Sequence, residues 1–235
     1  MDERTALILE NLIAEHIQLA RPISSGYLGQ RLNLALSPAT IRAILHDLEE
    51  AGYIDQPHTS AGRIPTDKGY RYYVNNVEPE QLKAKQHSQL RQGLVAEQQK
   101  GKDTASSAPK VLSHFSHMLS ITGSPERGEM YDAGLAEVLE ESDTLEMVRE
   151  ISRLREALQA EMEKLVSKLD DQTVVFIGAE NPVIDAEHTS LLIRRVTLPN
   201  QEDVILMMIG PKRMAYQRNI SLVDSMARLL NELSL

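Results

Sequence analysis

The apolar positions in the first fifty residues recur every three or four residues, which is the spacing of helices with one buried face. Residues 4–19 and 37–51 follow this pattern, and a short helix carrying Leu28 and Leu32 is predicted between them. Residues 33–36 are predicted to be the turn before the last helix. The pattern therefore predicts a helix, a turn and a second helix in succession, packed on the first helix of the chain.

The helix at residues 37–51 has clear boundary signals. Ser37 can accept a hydrogen bond as the N-cap, Pro38 suits the first helical position, and Gly52 supplies the left-handed residue that often ends a helix. Opposite its apolar stripe lie small and polar residues: Ala39, Ala43, His46 and Glu50, flanked by Thr40 and Arg42. Small N-terminal residues would let this helix approach base edges in a DNA groove. The alternative is an ordinary amphipathic core helix.

Two segments rich in aromatic and β-branched residues, 53–56 and 70–74, flank a stretch dense in turn residues, which predicts a hairpin with a wing. The wing is locally basic although the chain has a net charge of −9. Its candidate phosphate contacts are His58, Thr59, Ser60, Arg63, Thr66, Lys68 and Arg71. The alternative is a surface hairpin with solvated charges.

The predicted DNA-binding residues are this wing set, the helix residues Ser37, Ala39, Thr40, Arg42, Ala43 and His46, and Ser25. Ser25 begins the short helix, where it either holds a phosphate through its hydroxyl and nearby amides or merely caps the helix. Because the basic footprint is small, one copy would bind weakly. A homodimer on two half-sites of double-stranded DNA is therefore expected.

Two pairs of segments carry a family resemblance. The stretches SPATIR, residues 37–42, and PHTSAGRIPTDKGYRYYV, residues 57–74, resemble the DNA-binding region of the heat-inducible transcription repressor HrcA family. VFIGAEN, residues 175–181, and MIGPKRMAYQRNI, residues 208–220, resemble the end of that family's GAF-like domain. The resemblance implies a dimeric repressor that binds an inverted-repeat operator of chaperone genes, loses repression on heat stress and is kept active by the chaperonin GroEL. Between about residues 85 and 130 the family has a longer region with an inserted dimerisation domain, so a reduced GAF-like domain is expected.

The second half predicts a mixed helix and sheet layer. A polar helix is predicted at residues 79–99 and a flexible linker at 101–109, where the composition offers little apolar surface. Residues 144–170 form a long helix whose apolar stripe is either a self-pairing seam, our candidate for a substitute dimer interface, or one side of a helix laid on a sheet. Strands are predicted at 173–177, 190–198 and 204–209, the last two as an antiparallel hairpin, and a helix at 220–233 closes the chain.

The predicted class is therefore α+β: a winged helix-turn-helix DNA-binding domain at 1–77, a polar helix and linker at 78–110, and a reduced GAF-like α+β regulatory or dimerisation domain at 111–235. The chain has no cysteine, which excludes disulfides, thiol chemistry and cysteine-based zinc sites. Its charged start and the lack of a long apolar run predict a cytoplasmic protein without signal peptide or membrane span.

Candidates for chemistry are few. His114 and His117 are three residues apart, but without a third ligand a packed or surface pair is favoured over a metal site. The glycine-containing turns at 178–181 and 210–213 match no nucleotide-binding motif. We therefore expect no enzyme, no cofactor and no metal.

Two alternatives to a chaperone-gene repressor stay open. One is a winged-helix regulator that responds to a small effector bound in the C-terminal domain, with Glu180, Asn181 or Arg213 touching it. The other is an enzyme fused to a helix-turn-helix, for which no catalytic set is visible.

Overall fold

The computed structural model of the chain describes residues 1–32, 36–58, 62–76, 78–101, 103–140 and 144–233. These residues separate into two compact units, Met1–Glu78 and Pro79–Leu235. Both units combine helices with sheet, so the predicted α+β class is confirmed. Within the described ranges, no helix is both long and apolar enough to cross a membrane.

The first unit consists of helices around a two-stranded antiparallel hairpin. In chain order its elements are α1 (Glu3–Leu19), α2 (Ser25–Leu32), α3 (Pro38–Glu50), β1 (Ile54–Asp55), β2 (Ile64–Pro65) and α4 (Asp67–Asn76). Its core is aliphatic, with the faces of α1 and α3 buried together: Ile8, Leu9, Leu12, Ile13, Ile41, Leu45 and Leu48. The apolar stripes predicted for these two helices are thus the surfaces that hold the unit together.

The prediction of a second long strand at residues 70–74 is wrong, because this segment belongs to α4. Thr66 acts as a helix cap, its hydroxyl oxygen accepting a hydrogen bond from the Gly69 amide at 3.2 Å. Tyr70 and Tyr73 then lie three residues apart on one helical face, and both are buried. Burial on a helix face outweighs the strand preference of aromatic residues, which depends on context. The hairpin is completed instead by the short strand Ile64–Pro65.

The second unit is a five-stranded antiparallel sheet with helices on it. In chain order its elements are α5 (Ala84–Gln98), α6 (Thr104–Ser116), β3 (Leu119–Ser124), β4 (Glu129–Ala133), α7 (Leu135–Glu140), α8 (Leu145–Val166), β5 (Val174–Ile177), β6 (Thr189–Thr197), β7 (Asp203–Pro211) and α9 (Tyr216–Leu233). The strand order is β4-β3-β7-β6-β5, and Leu192 of β6 faces Met208 of β7.

Helices cover both faces of this sheet. Successive side chains of β6 point to opposite faces, and the Thr189 hydroxyl donates to Glu150 of α8 at 3.0 Å while the Ser190 hydroxyl lies 2.8 Å from the Tyr216 hydroxyl of α9. α8 therefore covers one face and α9 the other, with α6 packed beside α9. This burial on both faces explains the nearly continuous apolar run of β7 and the burial of most residues of β6.

The flexible linker predicted at residues 101–109 is also a misassignment, because α6 begins inside it. The Asp103 carboxylate caps the helix by accepting the Ser106 amide at 2.6 Å, and Ser107, Ala108 and Pro109 are buried. Small side chains allow close packing, which composition does not reveal. At Gly93 of α5, for example, an added Cβ would lie 3.2 Å from the α6 residue Val111.

Two further expectations for the second unit are corrected. The sheet has five strands rather than three, since β3 and β4 join the three strands that we predicted. The stripe of α8 is buried within its own unit, with Ile151, Leu154 and Leu158 fully covered where α8 packs on β6 and β7. The interpretation of this stripe as a self-pairing seam is therefore wrong, and the helix laid on a sheet is confirmed.

Candidate nucleic-acid interface

The ends of α3 are defined by the capping interactions that the sequence predicted. The Ser37 hydroxyl accepts the Thr40 amide at 3.1 Å, and Pro38 is the first helical residue. Gly52 follows the helix with φ of +74°, a left-handed conformation that glycine adopts at low cost. Local sequence thus sets where this helix begins and ends.

The outward face of α3 carries the small and polar residues predicted for it. Ala39, Arg42, Ala43 and His46 are exposed, whereas Ile41, Leu45 and Leu48 on the opposite side are buried. His46 Nε2 lies 3.6 Å from a carboxylate oxygen of Glu50, and both side chains are about two-thirds exposed. The structure therefore brings these four predicted site residues together on one accessible surface.

Thr40 lies away from this surface, on one flank of the helix. It is half-buried, its hydroxyl lies 2.9 Å from that of Ser37, and it lines a groove with three acids, Asp47, Asp2 and Glu3, and one cation, Arg4. The hydrogen bond from the Thr5 amide lowers the pKa of Asp2, so this carboxylate is ionised at neutral pH. One flank of α3 is consequently acidic.

Arg42 occupies the other flank, because it lies about 160° around the helix from Thr40 at roughly 100° per residue. Glu49 lies on the same flank, nearly two turns further along. The exposed face of α3 therefore separates an acidic groove from a side that begins with an arginine.

The C-terminal end of α3 is held by two residues predicted as phosphate contacts. The Thr66 hydroxyl donates to the Gly52 carbonyl at 2.7 Å, and Lys68 Nζ donates to the Ala51 carbonyl at 2.7 Å. The Lys68 ammonium also lies 4.4 Å from the centre of the Tyr53 ring. A cation here complements the negative end of the helix. The geometry thus gives Thr66 and Lys68 a structural role at the end of α3.

Arg63 is likewise engaged within the unit. Its guanidinium lies 2.9 Å from the Glu49 carboxylate, and its backbone exchanges two hydrogen bonds with Ile23. The side chain is only 20% exposed, which differs from the freely accessible cation that a phosphate contact requires.

The remaining predicted site residues are placed separately. His58 is exposed after β1, and Arg71 is half-buried on α4. Ser25 is in the first turn of α2, but the cap of that helix is Ser24, whose hydroxyl accepts the Tyr27 amide at 3.2 Å. Ser25 therefore does not serve as the cap. Thr59 and Ser60 lie outside the described residues.

One positioning cluster was missed by sequence reasoning. The buried Glu15 of α1 accepts the Tyr27 hydroxyl at 2.6 Å and Arg31 Nε at 2.8 Å, which ties α2 to α1. The Tyr27 hydrogen bond and then the Arg31 hydrogen bond lower the pKa of Glu15. No local signal marks this set, because its three members come from two helices.

Two of the three candidate effector residues of the second unit, Glu180 and Asn181, make hydrogen bonds within their own turn. Glu180 accepts the Ile177 amide at 3.0 Å, and the Asn181 side-chain oxygen accepts the amides of Val183 and Ile184 at 2.9 and 3.2 Å. Arg213 is half-buried and has an interaction partner of its own. These contacts are those of ordinary turns.

A second missed cluster lies beside β6, at Glu150 of α8. Its carboxylate accepts the Glu187 and His188 amides at 3.0 Å each, and His188 Nδ1 lies 2.8 Å from it. Burial by itself would raise the pKa of Glu150, but these hydrogen bonds outweigh burial and the pKa is lowered. An ionised Glu150 therefore holds the segment that leads into β6. Among the described residues, no group of three or more His, Cys, Asp or Glu is placed to hold a metal ion.

Comparison with known proteins connects this architecture to a family. Residues 73–220, more than half of the chain, match a family model described as the HrcA protein C terminal domain. The heat-inducible transcription repressor HrcA of Chlorobium phaeobacteroides (strain BS1) is 42% identical over 129 residues, which are 53% of this chain and 37% of that protein. The heat-inducible transcription repressor HrcA of Chlorobium chlorochromatii (strain CaD3) is 44% identical over 125 residues, which are 52% of this chain and 36% of that protein.

These matches span little more than a third of the relatives' length. A crystal structure of a hypothetical protein at 2.2 Å resolution has the same fold, with a TM-score of 0.77 at 20% identity over 100% of this chain and 97% of that chain. The family model spans the C-terminal segments that carry the resemblance and covers more than half of the chain, so the chain belongs to the HrcA family.

Proposed function

We propose that this chain is a sequence-specific DNA-binding repressor of heat-shock genes. In this proposal residues 1–78 form a winged helix-turn-helix domain, in which α3 is the recognition helix and the β1–β2 hairpin is the wing. The observation that carries it is the exposed face of α3, where small residues and Arg42 lie opposite a fully buried apolar stripe. The relatives named heat-inducible transcription repressors support the regulatory role.

The geometry divides the predicted contacts into two groups. Ala39 and Ala43 allow close approach to the groove floor, with Ser37, Arg42 and His46 beside them as hydrogen-bonding groups. The phosphate contacts around this helix are made by Ser25, His58, Thr59, Ser60 and Arg71. The duplex approaches from the Arg42 flank, because the carboxylates on the other side, which outnumber Arg4 there, repel phosphate. Thr40 therefore has a minor part in base contact.

The finer features of the proposal come from the family resemblance. The protein acts in the cytoplasm as a homodimer on an inverted repeat, so that two copies of a small basic footprint add their binding energies. Residues 111–235 serve as a GAF-like regulatory or dimerisation domain. Repression is lost on heat stress, and the chaperonin GroEL maintains the active form. The effector-responsive alternative is not favoured, since Glu180 and Asn181 hydrogen bond within their own turn.

The test uses the full chain and a random-sequence duplex library. Rounds of selection on immobilised protein yield an enriched duplex, and fluorescence anisotropy at moderate salt compares it with a scrambled duplex of equal composition. We expect an affinity ratio of about 10³ or more and an inverted repeat in the enriched sequence. Arg42→Ala should reduce the ratio, whereas the matched control Arg153→Ala on an exposed part of α8 should not. Equal affinity for both duplexes would end the proposal.

A further inference from the structure

Arg63 connects three parts of the first unit that lie apart in the sequence. Its amide donates to the Ile23 carbonyl at 2.8 Å, and the Ile23 amide donates to the Arg63 carbonyl at 2.9 Å, which ties the hairpin to the segment before α2. Its guanidinium lies 2.9 Å from the Glu49 carboxylate at the end of α3. One residue therefore links the hairpin, the start of α2 and the recognition helix.

The backbone part of this link is a close contact that leaves no space for a side chain. A Cβ added at Gly62 would lie 2.5 Å from the Ile23 carbonyl oxygen and 2.7 Å from its nitrogen, so the two chain segments are in direct contact. Ile23 itself is buried. The hairpin therefore cannot slide along this contact, and Thr66 and Lys68 hold its other end to the end of α3.

The side-chain part of the link adds a contact between the hairpin and α3 itself. The Arg63 and Glu49 side chains are 20% and 28% exposed, so water and salt screen their attraction less than they screen a surface ion pair. One terminal guanidinium nitrogen makes this contact, at 2.9 Å, whereas Arg63 Nε has no hydrogen-bond partner. The pair thus limits the distance between α3 and the hairpin at a point away from the Ile23 contact.

We propose that the Arg63–Glu49 ion pair sets the angle between α3 and the hairpin, which makes Arg63 a positioning residue for sequence discrimination. The inference rests on the proposed function, because it concerns the same DNA-binding surface. Base contacts by α3 and phosphate contacts by the hairpin must be made together, and a hinged hairpin would loosen the register of α3 on the bases.

A direct phosphate contact by Arg63 would have different consequences. In that case Glu49→Gln would free the guanidinium and strengthen binding to all duplexes, and Arg63→Gln would lower the salt slope by about 1. A positioning role predicts instead that both substitutions reduce the enriched-to-scrambled affinity ratio by about tenfold with the salt slope unchanged. The charge-swapped variant, Arg63→Glu with Glu49→Arg, should recover most of the ratio.

The angle can be measured without DNA. The chain has no native cysteine, so cysteines placed at the exposed His46 of α3 and His58 of the hairpin can be spin-labelled at those two sites only. Pulsed electron paramagnetic resonance on the full chain then gives the distance distribution between helix and hairpin. We expect a narrow distribution in the parent, a broad one with Arg63→Gln or Glu49→Gln, and a narrow one in the charge swap. Arg153→Gln in the second unit is the matched control and should leave it narrow.

The outcomes separate the two proposals. Unchanged distance distributions in both single variants would overturn the positioning role whatever the DNA results. Stronger binding by Glu49→Gln together with a lower salt slope for Arg63→Gln would overturn it as well, in favour of a phosphate contact. If the parent enriches no duplex, the proposed function fails, while the distance measurement still supports or overturns the angle-setting pair.

Discussion

Gly62→Ala offers the sharpest check on how the DNA-binding surface is built. The obstacle is the Ile23 backbone, which would lie 2.5 to 2.7 Å from the new methyl group at its oxygen and nitrogen. The hairpin must therefore move away from the segment before α2, and the two hydrogen bonds between Ile23 and Arg63 are lost or weakened.

The cost follows from these contacts. Two backbone hydrogen bonds are worth about 1 kcal/mol each, and an overpacked methyl group costs about 1 to 3 kcal/mol of strain. A hairpin that moves away gives up hydrogen bonds but relieves strain, so the two costs do not add in full. The expected destabilisation is therefore about 2 to 4 kcal/mol. In a unit of this size, each kcal/mol lowers the melting temperature by about 4 to 8 °C. A drop of at least about 8 °C is expected for the first unit.

Thermal unfolding of the full chain followed by near-ultraviolet circular dichroism measures this drop. Five of the seven tyrosines belong to the first unit, namely Tyr27, Tyr53, Tyr70, Tyr72 and Tyr73, so the tyrosine signal reports mainly on that unit. Far-ultraviolet circular dichroism follows the helices of both units and shows whether the second unit melts as before.

The matched control is Gly26→Ala in α2. A Cβ there meets nothing within 4 Å, and replacing a helical glycine by alanine stabilises by up to about 1 kcal/mol. We expect the control to melt at or slightly above the parent temperature. If Gly62→Ala had the same melting temperature as Gly26→Ala, the close approach of the hairpin to Ile23 would be refuted.

Three other predictions concern charge and core. Hydrogen bonds from Lys100 and a second lysine lower the pKa of Glu97 from 4.5 to about 2, so the ionised carboxylate stabilises the fold fully above pH 4.5 and loses this effect as the pH falls through about 2. The difference in free energy of unfolding between the parent and Glu97→Gln, measured with urea, should therefore decrease as the pH falls between these values, and a constant difference would contradict the prediction. Asp47→Asn should raise affinity for the scrambled duplex several-fold in anisotropy titrations, whereas the exposed Asp170→Asn should not. Leu154→Ala should cost about 2 to 5 kcal/mol in urea unfolding, since the side chain is fully buried; a variant that kept its stability but changed its mass in light scattering would restore the seam interpretation.

The helices of the first unit were predictable because their signals are local. Ser37, Pro38 and Gly52 act within one turn of the residues that they affect, and the apolar stripe of α3 repeats at helical spacing. The inward and outward faces of α3 follow from that repeat. Sequence reasoning therefore placed four exposed residues of the proposed interface on the correct face.

The errors share a different origin. β3 was missed although its residues alternate, because the strand is short and its polar residues Ser120, Thr122 and Ser124 are buried as well, which its composition does not indicate. α6 was assigned to a linker because serine and alanine are typical of flexible segments, although they also suit close helix packing. In each case, burial was decided by elements far away in the chain.

The sequence by itself determined the family, the α+β class, the limits of α3 and which of its faces is outward, because these depend on residues within a few positions of each other. The tertiary structure decided which cations are free to meet a phosphate. Arg42 remains exposed, whereas Arg63 reaches Glu49 and Lys68 reaches the carbonyl of Ala51. Pairing of charges depends on distances between separate elements, and those distances exist only after the chain has folded.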